Sequence, residues 1–256
     1  MIKLSSRKLM DTRTLVGASL LTGISIILTR AFSVILPLAG LPALRFGFGE
    51  IPLAVTGILF GPLAGGLSGA VADILGVIIN PQGAFFPGFT LSSILWGVIP
   101  GIIYKLIRKR MFRINFNIIN TSVLIGLAFG VVNVLFSNNV LTLKNGTYYL
   151  YAKPMPIFYA VGYVAIVLAF IVVPIIVSRK EKQKNKLYTL DKILFTITVP
   201  YVIISLGLNT LWLSIMFQKG FVILLPGRIL AGLAVIPMHS TIVYTLSKYF
   251  KYVKEK

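Results

Sequence analysis

Arg30, Asp73, Asn209 and Arg228 are polar side chains set inside long apolar stretches, and Trp212 lies one turn beyond Asn209. Between two further apolar stretches the segment GAFFPGFTLSS (83–93) carries Phe85, Phe86 and Phe89 around a Pro-Gly pair. A guanidinium grips a carboxylate through two parallel N–H bonds. A carboxylate or side-chain amide pairs with ring amino groups and ring nitrogens, and aromatic rings stack on a flat partner. Together these types suit a planar polar heterocycle attached to an anion. Each has a plainer use as well. Arg30 near a helix end can snorkel to the headgroups, Asp73 can pair structurally with an arginine, Asn209 can bond a neighbouring helix, and Trp212 and the phenylalanines can sit in an interfacial belt.

What must position these residues follows from composition. The chain has 256 residues, 57% hydrophobic, with mean hydropathy +0.91, which points to one polytopic membrane domain over 1–256. No small-residue cleavage site follows the first apolar segment, so we expect that segment to be retained as a span. Cysteine is absent and His239 is the single histidine, which excludes disulfides, thiol catalysis and a multi-histidine metal site. No metal or cofactor is expected. The net charge of +19 raises nucleic acid as a partner, but position argues for membrane lipid instead. Nineteen of the 25 Lys and Arg fall in Lys3–Arg13, Lys105–Arg113, Arg179–Lys192 and Lys248–Lys256, each flanking an apolar span as cytoplasmic loops do.

Candidate spans run 14–38, 49–61, 62–79, 90–107, 115–136, 157–178, 191–216 and 222–246. Read as one helix, 50–79 would be about 45 Å long against a core of about 30 Å. Charge parity favours a hairpin at FGPLAGG: with eight spans and the N-terminus inside, all four basic clusters stay cytoplasmic, whereas seven spans would translocate two of them. Eight helices with both termini cytoplasmic are therefore expected. Gly57, Gly61, Gly65 and Gly69, with Ser68, Ala72 and Gly76 beside them, supply the small faces that let helix backbones approach in lipid. Lys144, Lys153 and Lys219 then fall in external loops, while Arg30, Asp73, Asn209 and Arg228 share the outer half. A charge near the bilayer centre costs about 2.5–3.5 kcal/mol, so such residues face a cavity or a partner.

The run 44–101, with its FPGFTLS start of a helix (86–92), together with LNTLWLSIMFQKGFVILLPGR (208–228) and SIILTR (25–30), resembles the substrate-binding S components of energy-coupling factor (ECF) vitamin transporters, particularly the folate-specific FolT group. The resemblance covers roughly half the chain and implies an all-α integral membrane protein with a six-helix core. It implies high-affinity capture of a vitamin, folate first among those the family takes, at the outer face of a prokaryotic cell membrane. It further implies work with a transmembrane coupling subunit and two ATPase subunits. Under it Arg30 and Arg228 take anionic groups, Asp73 and Asn209 take ring donors and acceptors, and Phe86, Phe89 and Trp212 stack. Thr90, in the same motif, joins the binding set. The small-xxx-small pattern that meets the coupling subunit falls on Ser19 and Gly23, where alanines are usual. The family-like core corresponds to 14–110 and 190–248, and 111–185 reads as an inserted two-helix segment whose loop carries Tyr148, Tyr149 and Tyr151.

Two other classes compete. A standalone secondary transporter would rely on Asp73 as its titratable group; an S component for another vitamin would keep the site and change the ligand. A membrane enzyme is disfavoured, because such chemistry needs several carboxylates or histidines. Of six acids, Asp11, Glu181, Asp191 and Glu255 lie near cytoplasmic ends. No G-x-x-x-x-G-K-[ST] run is present, so any ATPase is external.

Overall fold

The computed structural model describes residues 11–38, 41–109, 115–144, 147–150, 153–180 and 188–250. Much of the four basic clusters (3–10, 110–113, 182–186 and 251–256) and Tyr151 lie outside the described residues. The elements in order are helix α1 (Thr12–Arg30), strands β1 (Val34–Leu38) and β2 (Leu41–Phe46), helices α2 (Glu50–Phe60), α3 (Pro62–Ile79), α4 (Pro87–Arg108) and α5 (Phe116–Ser137), strands β3 (Leu141–Lys144), β4 (Thr147–Leu150) and β5 (Lys153–Pro154), and helices α6 (Ile157–Lys180), α7 (Leu190–Pro200), a π-helical stretch (Tyr201–Leu208), α8 (Asn209–Phe217) and α9 (Phe221–Ser247). Among the described residues six helical segments are long and apolar enough to cross a membrane: α1, α3, α4, α5, the continuous Leu190–Phe217 and α9. The protein is an all-α, multi-pass membrane protein in its spanning part.

Three expected spans differ from this. The one expected at 157–178 forms the helix α6 but is not among these six, several of its side chains lying outside the described residues. The first span does not reach residue 38. Its helix stops at Arg30, and the chain then forms an antiparallel hairpin with Val34 opposite Phe46, Ile35 opposite Arg45 and Leu36 opposite Leu44. The β-branched Val34 and Ile35, with the two prolines at 37 and 42, favour extended chain over helix. The second span, α2, has 11 residues, about 16 Å of helix against a core of about 30 Å. Its residues Ile51 to Ile58 are all buried, so protein rather than lipid surrounds it and its shortness exposes no backbone.

The expected turn at FGPLAGG is present. Gly61 takes φ +99°, a conformation that favours glycine, and Pro62 opens α3 with its missing N–H at a position that needs none. The chain folds back there, because a Cβ on Gly65 would come within 2.8 Å of the Gly57 Cα. The same small face lies on α4. A Cβ on Gly57 or Gly65 would strike the Gly97 carbonyl, and one on Gly69 the Ser93 carbonyl. The glycine stripe is thus internal packing of α2 and α3 on α4.

The main core gathers Leu53, Trp96, Leu124, Val131, Leu194, Ile204, Leu233 and Ile236. It therefore includes α5, the first helix of the segment read as inserted. Asn120 on α5 donates to the Asp191 carbonyl at 2.9 Å, and α6 leans on α5 through a Tyr163 hydroxyl bond to the Ala128 carbonyl at 2.9 Å.

Candidate binding cavity

Arg30 closes α1, and its side chain crosses to the end of α3. Its Nη1 donates to the Asn80 carbonyl at 3.1 Å, and Nη2 lies 3.7 Å from the Asp73 carboxylate, both side chains being almost wholly buried. Gly76 makes this crossing possible, since a Cβ there would sit 2.7 Å from the Arg30 Nε. The Arg30 carbonyl accepts from Asn80 Nδ2 at 3.3 Å and Gln82 Nε2 at 3.1 Å. Asp73 uses its other oxygen to accept from the Thr90 hydroxyl at 2.7 Å. Three helices are thereby tied together around one carboxylate.

The aromatic segment begins α4 one turn earlier than expected. Pro87 and Gly88 are not a free turn between elements; Pro87 is the first residue of the helix, where its fixed φ and absent N–H fit. Phe86 immediately before it packs edge-on to Phe89, with ring centroids 6.0 Å apart, and against Trp212 at 5.8 Å. Gly88 is required here: a Cβ would lie 2.6 Å from both the Phe86 and the Trp212 ring. The Trp212 indole N–H donates to Ser92 Oγ at 3.2 Å. Phe85 stays exposed.

On the opposite wall, α7 runs into Pro200 and a π-helical stretch before α8 resumes. A proline inside a helix withdraws one donor, and a widened turn is one way the ladder adjusts. There the Ser205 carbonyl accepts from Arg228 Nε at 3.0 Å, and the Tyr201 hydroxyl donates to the Arg228 carbonyl at 3.3 Å. One further side chain of α9, His239, contacts the Gly47 carbonyl through Nε2 at 3.0 Å.

These walls enclose a cavity of about 220 Å³. Of the residues singled out in the sequence, Arg30, Asp73, Phe86, Phe89, Asn209 and Arg228 line it. Thr90 and Trp212 stand one layer behind, Thr90 holding Asp73 and Trp212 backing Phe86. Sequence reasoning did not assign Arg45, Glu50, Gln82, Tyr201, Ser205 or His239, which also line it. For Arg45 and Glu50 a signal existed, as charges outside the basic clusters. Ser205 carried none, because its carbonyl is offered by the π-helical stretch. Ser19 is exposed on α1, and space is open beside Gly23. Both lie away from the cavity, among the exposed Leu15, Val16, Leu20 and Ile27.

The family described as "ECF transporter, substrate-specific component" matches residues 13–174. A folate transporter FolT from Clostridium novyi (strain NT) is 52% identical over 63 residues, covering 25% of this chain and 37% of that protein. A folate transporter FolT from Leuconostoc mesenteroides is 28% identical over 95 residues, covering 37% and 48%. The chain thus spans less than half the length of each of these curated relatives. The fold is similar to that in a crystal structure of FolT bound with folic acid, with TM-score 0.54, 18% identity, and 94% of this chain and 98% of that chain covered.

Proposed function

Because the chain belongs to the substrate-specific components of ECF transporters, we propose that it captures folate at the outer face of the cell membrane and passes it to an ATP-driven import complex. The observation that carries this reading is the cavity where Arg30, Asp73, Phe86, Phe89, Asn209 and Arg228, from five separate parts of the chain, meet. Folate offers the matching parts: a flat pterin with amino and keto groups, an aromatic spacer, and carboxylates. Arg30 and Arg228 take the anionic groups, and Asp73 and Asn209 take the ring edge. Phe86 and Phe89 stack, with Trp212 setting the Phe86 ring and Thr90 setting the Asp73 carboxylate. The similarity to folate transporters supports folate over other vitamins.

In this reading eight passes bring both termini to the cytoplasm. The fold-back at Gly61 supports the parity: a Cβ on Gly101, near the basic end of α4, would lie 2.8 Å from Pro62, whereas Asn80 at the other end of α3 meets Arg30. The α2–α3 pair therefore travels away from the Arg30 level and returns to it. Ser19 and Gly23, on the exposed face of α1, meet the transmembrane coupling subunit, behind which two ATPase subunits act. Helices α5 and α6, within 111–185, are an addition to a six-helix core.

The test is a titration of purified, ligand-stripped protein with folate, read by intrinsic tryptophan fluorescence. Trp96 lines the cavity and Trp212 touches Phe86, so both tryptophans sense occupancy. Saturable binding of folate, and of none of riboflavin, thiamine and biotin, is expected. Arg30→Met and Arg228→Met should each weaken it by tenfold or more, the scale of a lost charge-assisted bond. A folded protein without a response to folate, confirmed by calorimetry, refutes the ligand assignment.

A further inference from the structure

Buried polar atoms almost always find partners, because an unmet donor or acceptor carries its full desolvation cost. Among the described residues six side-chain atoms are buried without one. Four belong to residues lining the cavity: Arg30 Nε, Gln82 Oε1, Asn209 Oδ1 and His239 Nδ1. Arg30 Nε is packed against Gly76, which leaves Gln82 Oε1, Asn209 Oδ1 and His239 Nδ1 as acceptors for an occupant.

His239 is the most constrained of the four. It is only 2% exposed. Its Nε2 faces the Gly47 carbonyl at 3.0 Å, and a carbonyl only accepts, so Nε2 carries the hydrogen. In the neutral imidazole that leaves Nδ1 as a bare acceptor. Phe48 packs beside the ring at 6.0 Å between centroids, limiting its rotation. His239 lies about three turns beyond Arg228 on the same face of α9, roughly 16 Å along the axis. The two side chains thus stand toward opposite ends of the cavity, and an elongated ligand with its anion on one end places its ring at the other.

We infer that His239 Nδ1 accepts an N–H from the 2-amino group of the bound pterin, and so selects rings that carry an amino donor there. This rests on the folate reading above and adds a specificity-determining residue to it. Gln82 Oε1 is a second unmet acceptor of fixed orientation, because its own amide nitrogen already donates to the Arg30 carbonyl.

The experiment uses the full-length, untagged protein, folic acid, and a folic acid analogue with the 2-amino group replaced by methyl. The unsubstituted protein should bind folic acid at least tenfold more tightly than the analogue. His239→Gln places an amide where Nε2 was, keeping the Gly47 contact while removing the Nδ1 acceptor. It should lose about tenfold affinity for folic acid and most of its discrimination. His239→Asn does the reverse and should retain discrimination. With one histidine in the chain, nitrogen-15 NMR of the unsubstituted protein gives a readout that needs no variant: the Nδ1 resonance should move upfield on adding folic acid. An unmoved Nδ1 resonance in saturated protein, or undiminished discrimination in His239→Gln, overturns the inference while leaving folate binding intact. A folded protein that does not bind folic acid overturns both readings.

Discussion

Replacing Asp73 with asparagine keeps the shape of the side chain and removes its charge. The structure gives this carboxylate two unequal partners. The Thr90 hydroxyl donates to it at 2.7 Å, well inside hydrogen-bond range, whereas Arg30 Nη2 stands off at 3.7 Å. Both members of the ion pair are nearly buried, at 8% and 12% exposure for Arg30 and Asp73, so water screens them little. Breaking a buried pair from one side costs about 3–5 kcal/mol, mostly because the remaining charge is left uncompensated. Arg30 retains the Asn80 carbonyl, which places Asp73→Asn at the lower end, about 3 kcal/mol. Thr90→Val removes only the charge-assisted hydrogen bond, worth about 1.5–3 kcal/mol. For a chain of this size each kcal/mol moves the melting temperature by about 2–4 °C.

Circular dichroism melts in one detergent, without ligand, read the order. Asp73→Asn should melt about 6–12 °C low and Thr90→Val about 3–12 °C low. The informative variant is the double replacement Arg30→Met with Asp73→Asn. If the two side chains compensate each other, removing both is less damaging than removing Asp73's charge alone. A double variant whose loss equals the sum of the single losses would refute the pairing. The same proteins tested by calorimetry should show folate affinity reduced in both Asp73→Asn and Thr90→Val, since Thr90 aims the carboxylate. Normal affinity in Thr90→Val would mean that the hydroxyl orients nothing the ligand uses.

Gly97→Ala places a Cβ against the Gly65 backbone and should cost about 1–3 kcal/mol through overpacking; a melt matching that of the unsubstituted protein would contradict the close approach of α3 and α4. Ser19→Trp and Gly23→Trp, on the exposed face of α1, should leave folate affinity of the purified subunit unchanged. They should abolish uptake and co-purification with the coupling subunit, and unimpaired uptake by both would remove that face from the partner contact.

How much of this was legible in the sequence depends on what each feature answers to. Span positions come from runs of apolar residues, and α3 begins and ends on the residues expected, Pro62 and Ile79. The hairpin at Gly61 was legible because two independent constraints met there, charge parity and a Gly-Pro pair. The β1–β2 hairpin was not, because VILPL and LPALRF are as apolar as a span, and hydropathy does not distinguish a buried strand from the end of a helix. The π-helical stretch left no trace either: YVIISLGL keeps the same composition whether its turns are narrow or wide.

The cavity divides along the same line. Arg30, Asp73 and Arg228 could be found because a charge in lipid demands an explanation, and that demand does not depend on geometry. Gln82, Ser205 and His239 could not, because their part depends on which of their atoms the fold leaves unmet. Gln82 spends its donor on the Arg30 carbonyl, and His239 spends its own on Gly47. Each is left with an unmet acceptor only because that first bond is made. The charged residues therefore report where a site lies, and His239, oriented by a backbone carbonyl, adds to the ring contacts of Asp73 and Asn209 a choice of which amino-bearing edge is read. Exchanging Arg30 or Arg228 should accordingly weaken folate and its 2-methyl analogue alike, whereas exchanging His239 should change their ratio. A ratio altered equally by all three replacements would dissolve that division of labour.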